Sequence, residues 1–153
     1  MKTTKAIYFD MDGTIANFYG VKNWLNYLIE GNPFPYAVAK PLFNMNALAR
    51  RLNNLRKRGW TIGIVSWLAK NSNTEFDEKV IEAKRTWLKK HLASVEFDEI
   101  NIVPYGTPKS TVPNFKNAIL FDDEENNVIE WEENGGWAFS PDKIMEILTW
   151  AKG

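Results

Sequence analysis

The sequence predicts an α/β chain in which a five-stranded parallel sheet is covered by helices on both faces. Short apolar, β-rich runs alternate with longer segments of helical period, the pattern of strands buried on both sides. Hydrophobic residues make up 44% and charged residues 25%, the composition of a folded globular chain. The 153 residues are close to the roughly 150 that usually form one domain, so residues 1–153 are expected to be a single unit.

The elements follow in order. Strands are expected at residues 6–9, 61–65, 100–103, 118–121 and 137–139, each a brief apolar run. The interval between the first two is too long for one crossover helix with short loops, so a reduced helical cap is expected within residues 17–45. There Trp24, Leu25, Leu28 and Ile29 recur at helical spacing, and Gly31-Asn-Pro33-Phe-Pro35 halts the helix. A second helix runs from about Asn44, with Leu48, Leu52 and Leu55 on one face, and ends at Gly59. The third, over residues 75–92, sets Val80, Ala83, Trp87, Leu88 and Leu92 near one stripe and Lys79, Lys84, Lys89 and Lys90 mostly off it. The last starts at Ser140-Pro141, an N-cap followed by proline at the first helical position, and buries Ile144, Ile147 and Leu148.

Composition also excludes. Nineteen Lys plus Arg balance nineteen Asp plus Glu, so no net field gathers nucleic acid or an anionic membrane. With no Cys and one His, thiolate chemistry, disulfides, zinc ribbons and multi-histidine sites are out, and only oxygen ligands remain for a metal. Met1-Lys-Thr-Thr-Lys5 leads into Ala6 without a signal-peptide apolar core, and no apolar run approaches a membrane span, which reads as cytoplasmic. The run Arg50-Arg51 to Arg56-Lys57-Arg58 falls mostly opposite the apolar face of its helix and near its C-terminus, a solvated face rather than a nucleic-acid surface. His91 and the acids Glu30, Glu130, Glu132 and Glu133 are read as surface residues.

The chemistry gathers at strand ends. Ile7-Tyr-Phe-Asp10-Met-Asp12-Gly-Thr14 closes a hydrophobic strand with two carboxylates and a turn, in the position where open α/β sheets bind ligands. Taken alone it is equally an Asx turn with glycine. A second acidic pair, Asp122-Asp123, follows the run 118–121. In a parallel sheet such ends point one way, and neighbouring strands would bring the acids together, an arrangement that an oxygen-bound Mg²⁺ would relieve. Ser66 ends the second strand, and Lys109 follows the third on a loop stiffened by Gly106 and Pro108. Singly, Ser66 is a helix cap and Lys109 a solvated charge. Together the set supplies a nucleophile, a metal site and two donors for phosphate oxygens, which is what phosphoryl transfer requires.

In that order and placement the chain resembles the haloacid dehalogenase-like (HAD) phosphohydrolases, whose four motifs are matched by Asp10-Met-Asp12-Gly-Thr14, Ser66, Lys109 and Asp122-Asp123. The resemblance implies a Rossmann-like three-layer sandwich with a small helical cap inserted after the first strand. It implies that Asp10 is the nucleophile and Asp12 the general acid and base, with Ser66 and Lys109 on the phosphoryl oxygens. Mg²⁺ would be held by the Asp10 side chain, the Asp12 backbone carbonyl and Asp122, with Asp123 and Asn127 further out; a helix-surface role for Asn127 is the alternative.

Within the family, the stretch from Asp10 to Phe18 is similar to the opening of the 5′(3′)-deoxyribonucleotidases, where a phenylalanine at that offset lines the base pocket. That resemblance implies a nucleoside monophosphate or deoxynucleotide as substrate. Phe18 would stack on the base or else anchor the cap helix, and Lys70 would approach the phosphate or else face solvent. Trp67, directly after Ser66, departs from the small residue expected there and would reshape the leaving-group pocket. A sugar phosphate or a nucleic-acid end is the alternative substrate. From a different class, a phospho-receiver domain also groups acids, a hydroxyl and a lysine around Mg²⁺, but its paired acids come first and its phosphorylated Asp later. A phosphate-binding protein without catalysis is the third reading.

Overall fold

The computed structural model describes residues 5–151. Strand β1 (Ala6–Phe9) is followed by the two-residue β2 (Ala16–Asn17), short helices α1 (Trp24–Ile29) and α2 (Phe34–Val38), and β3 (Lys40–Pro41). Then come α3 (Met45–Lys57), β4 (Thr61–Trp67), α4 (Thr74–His91), β5 (Glu99–Val103), β6 (Ile119–Phe121), α5 (Glu125–Glu133), β7 (Trp137–Phe139) and α6 (Ile144–Trp150). The main sheet has the order β5-β4-β1-β6-β7 with every pair parallel, as the alternating pattern predicts.

β1 is central and buried on both faces, which is why its four residues are all apolar. Ile7 and Phe9 pack with Ile62, Ile64 and Phe121 against Leu48 and Leu52 of α3 and Ile144 and Leu148 of α6. Ala6 and Tyr8 point the other way, onto Val65, Leu120 and Trp131 of α5. Helices therefore cover both faces, giving three layers. Each fully buried aliphatic or aromatic side chain stabilises the sandwich by about 1.5–3 kcal/mol. The chain leaves β1 toward β4 and β5, then crosses back to β6 on the far side, so the order reverses beside β1. The crevice at that reversal, beyond the carboxyl ends of β1 and β6, is where such sheets bind ligands.

Element ends match the sequence expectations to within a few residues, with informative differences. β4 continues through Ser66 and Trp67 because both pair with β5, opposite Ile102 and Val103. The segment 31–35, expected only to stop a helix, also starts one: Pro33 precedes α2 and Pro35 lies in its first turn, where a missing N–H costs nothing. The last helix begins as a 3₁₀ turn over Pro141–Lys143 before α6. Asn44 and Asn73 cap α3 and α4, accepting from the Ala47 and Phe76 amides at 3.1 and 2.9 Å.

Between β1 and α3, β2 and β3 pair antiparallel, and α1 and α2 sit beside the cleft. Phe18 and Tyr36 fasten this segment to Leu68 and to Phe76 and Val80 of α4. α1 buries none of its residues and leaves Leu25 and Ile29 exposed. Among the described residues no helix is long and apolar enough to cross a membrane.

Candidate active site

The sheet delivers the acids. Asp10 is still held by the ladder, its amide donating to the Phe121 carbonyl at 2.9 Å, and the chain then turns sharply so that the Met11 carbonyl accepts from Thr14, Ile15 and Ala16. Gly13 makes the turn possible: its φ is +81°, and a Cβ there would overlap the Asp123 carboxylate. Gly13→Ala is accordingly expected to lower stability by about 1–3 kcal/mol, measurable by urea unfolding, while displacing Asp123.

Across the crevice, the Asp122 amide donates to the Phe139 carbonyl at 3.1 Å. Its carboxylate accepts from the Glu124 amide at 2.9 Å and from Asn127 Nδ2 at 3.2 Å. Asn127 is therefore a buried partner of Asp122 rather than a helix-surface residue. Thr14 ties the two acidic segments together. Its hydroxyl lies 3.0 Å from Asp10 Oδ2 and 3.3 Å from Asp123 Oδ1, and it accepts from the Asp123 amide at 3.2 Å.

Lys109 is buried on a 3₁₀ turn, Lys109–Thr111. Its Nζ stands 2.9 Å from Asp10 Oδ1 and 2.6 Å from Asp122 Oδ2, and 5.3 Å from the centre of the Trp67 ring. The turn is anchored from α5: Glu130 accepts from the Ser110 amide at 3.0 Å and from the Ser110 hydroxyl. This corrects the reading of Glu130 as a solvated helix acid.

The larger correction is Lys84, one of four lysines expected mostly off the apolar stripe of their helix. It is fully buried, with Nζ 3.0 Å from Asp12 Oδ2, 2.7 Å from Ser66 Oγ and 2.8 Å from the Trp67 carbonyl. The signal is present in the sequence. Lys84 lies four residues after Val80 and four before Leu88, in line on one helix face, and a charge in such a row needs a buried partner.

Of the other sequence-derived positions, Phe18, Trp67 and Lys70 line the cavity. Ser66 is buried at the end of β4. Trp67 is half-buried, donates from Nε1 to the Thr107 carbonyl at 2.8 Å, and meets Tyr105 with ring centres 4.9 Å apart. Lys70 is exposed, 5.8 Å over the Tyr105 ring. Phe18 is buried among Tyr19, Trp24 and Tyr36, so it anchors the segment between β1 and α3 and also borders the cavity. The cavity measures about 500 Å³ and reaches from Asp10, Asp12 and Lys109 to the aromatic wall.

Electrostatics follow from this packing. Burial pushes the Asp10 carboxyl up, but the charge and hydrogen bond of Lys109 outweigh it and hold Asp10 below the ordinary range. Burial also raises Asp12, with Lys84 opposing and Asp10 adding to the rise. Asp122 and Asp123 are pushed up to about 6 and about 8, first by burial and then by the charge of Asp10. Lys109 is held above its usual value, because Asp10 and Asp122 overcome its burial. Carboxylate oxygens of Asp10, Asp122 and Asp123 lie within 4.8 Å of one another. Hard oxygen donors this close together fit a divalent cation such as Mg²⁺, and Asp123 belongs to the same group as Asp10 and Asp122. The Asp12 carboxylate is outside this group, turned to Lys84.

No protein-family model matches the chain, and no curated protein matches it. Solved structures do. A D,D-heptose 1,7-bisphosphate phosphatase from Burkholderia thailandensis superposes with a TM-score of 0.55 at 13% identity, over 87% of this chain and 75% of that one. A HAD family enzyme from Bacteroides thetaiotaomicron, in a magnesium complex, gives 0.54 at 11% identity, over 92% and 94%. A single-residue mutant of that enzyme, with magnesium and inorganic phosphate, gives 0.53 at 13% identity, over 90% and 93%. The chain has the HAD fold.

Proposed function

We propose that this chain is a Mg²⁺-dependent phosphatase that hydrolyses a small phosphomonoester through an aspartyl-phosphate on Asp10. The observation that carries the reading is the convergence of Asp10, Asp12, Lys109, Asp122 and Asp123 on one cavity. The carboxylates of Asp10, Asp122 and Asp123, with the Asp12 backbone carbonyl, would hold the ion. When bound, Mg²⁺ supplies the positive charge that lets an anionic phosphate approach three carboxylates.

The chain's own groups do the rest. Lys109 on Oδ1 and Thr14 on Oδ2 fix the Asp10 carboxylate, aiming it at phosphorus. An Asp10 oxygen bonds to phosphorus as the bond to the leaving oxygen breaks, and Asp12 gives that oxygen its proton. Water then attacks the phosphorus of the aspartyl-phosphate, the bond to Asp10 breaks, and Asp12 takes the proton from the water. Ser66 and Lys109 donate to the phosphoryl oxygens throughout.

The substrate we infer is a 5′-nucleotide or deoxynucleotide. Tyr19, Trp24, Tyr36, Trp67 and Tyr105 line the cavity around its acidic floor, and aromatic walls suit a planar, weakly polar leaving group. The test is phosphate release with Mg²⁺ across nucleoside monophosphates, sugar phosphates and p-nitrophenyl phosphate. Preference for a sugar phosphate would refute the nucleotide assignment, and no release from any of them would refute the phosphatase.

Proton linkage gives a second check. Asp12, Asp122 and Asp123 all have raised carboxyls, the last two at about 6 and about 8. Between about pH 4, where an unfolded Asp ionises, and pH 8, these three groups bind more protons in the folded chain than in the unfolded one, so their contribution to stability falls as pH rises. The melting temperature in EDTA is expected to drop across that window. Mg²⁺ competes with those protons, so its stabilisation is expected to be larger at pH 8 than at pH 5.

A further inference from the structure

Lys84 has no task in the mechanism above, yet it is fully buried at the centre of the site. An ammonium has three hydrogens, and here three acceptors meet it: Asp12 Oδ2 at 3.0 Å, Ser66 Oγ at 2.7 Å and the Trp67 carbonyl at 2.8 Å. The fourth side is closed by the Tyr36 ring of the cap, 5.2 Å from Nζ. The ammonium is therefore held between α4, the end of β4, the loop after β1 and α2.

Two consequences are geometric. Asp12 is gripped through Oδ2, which leaves Oδ1 to meet the leaving oxygen. Ser66 Oγ already accepts from Lys84, so the hydroxyl's own hydrogen is directed elsewhere, and the phosphoryl oxygens are the acceptors that arrive. We infer that Lys84 is a positioning residue of the phosphoryl-transfer site, fixing Asp12 toward the leaving group and turning Ser66 into a donor toward the phosphate. The inference rests on the phosphatase reading and adds to it a residue that acts through Asp12 and Ser66.

The test separates positioning of the acid from a general loss of structure by using leaving groups that do and do not need a proton. p-Nitrophenolate departs unprotonated, whereas the alkoxide of a nucleoside 5′-monophosphate does not. First-turnover rates with Mg²⁺ are compared, because Asp12 serves both substrates again in the second step. In Lys84→Met, first-turnover cleavage of the nucleoside monophosphate is expected to fall about 10²-fold, the usual worth of a placed general acid, while the p-nitrophenolate burst stays within about tenfold of wild type. Lys84→Gln, which keeps a donor for Ser66 and fills similar volume, is run alongside, with the melt of each variant read first. An equal fall on both substrates, or no fall, overturns the inference, and so does failure of both variants to fold, which would make Lys84 structural. A wild-type protein that releases phosphate from neither substrate fails the phosphatase reading itself, a result distinct from wild-type activity with an unchanged ratio in the variants.

Discussion

Asp10→Asn is expected to abolish phosphate release, by on the order of 10⁴-fold or more, because an amide cannot form the acyl phosphate through which the proposed turnover runs. The fold should survive. An asparagine has the same shape, and it can turn its oxygen to the Lys109 ammonium and its NH₂ to Thr14, whose hydroxyl accepts as readily as it donates. Removing the Asp10 charge also relieves Asp122 and Asp123, whose carboxyls that charge helps to raise. The variant should therefore melt near the wild type in EDTA while releasing no phosphate in a colorimetric assay with Mg²⁺. Asp12→Asn makes the complementary case. It keeps the nucleophile, so p-nitrophenyl phosphate should yield one equivalent of p-nitrophenolate and a chain heavier by one phosphoryl group, visible by mass spectrometry. Wild-type rates in Asp10→Asn would remove Asp10 from the chemistry.

How far the sequence reaches is visible at particular residues. The five strands are legible because a strand buried on both faces must be a short apolar run, and β1, β4 and β6 are such runs with Asp10, Ser66 and Asp122 at or just beyond their carboxyl ends. The acidic cluster follows from parallel order once β6 lies beside β1, as it does in the sheet. What stayed hidden depends on contacts between segments far apart in the chain. Lys84 sits among lysines that do face solvent, and only its alignment with Val80 and Leu88 sets it apart. Glu130 looks like any helix acid until Ser110, twenty residues earlier, is found against it. Helix α2 was masked by the prolines that read as a stop yet lie where a first turn tolerates them. The aromatic wall draws on the segment between β1 and α3, the end of β4 and the loop after β5, and no spacing rule links those segments.

Lys109→Met is expected to be the most destabilising change at the site when metal is absent. Lys109 is the cation between Asp10 and Asp122, at 2.9 and 2.6 Å, and all three groups are buried. Taking one partner from such a buried set leaves like charges facing each other without compensation, a loss of about 3–5 kcal/mol. Urea unfolding at pH 8 in EDTA should read that loss. At pH 5 the loss should shrink, because Asp122, pushed up to about 6, can take a proton in place of the lost cation. Mg²⁺ should also recover much of the stability at pH 8, since a divalent ion among Asp10, Asp122 and Asp123 supplies the charge that the lysine gave. Activity should not return with it. In the proposed mechanism the ammonium also serves the phosphoryl oxygens from a fixed position, and a metal bound among the acids cannot fill both places. A variant restored in stability by Mg²⁺ yet still inactive separates the two duties of Lys109. Full activity with Mg²⁺ would leave the lysine as a stand-in for the ion alone, and no loss of stability in EDTA would mean the acids are not charged together.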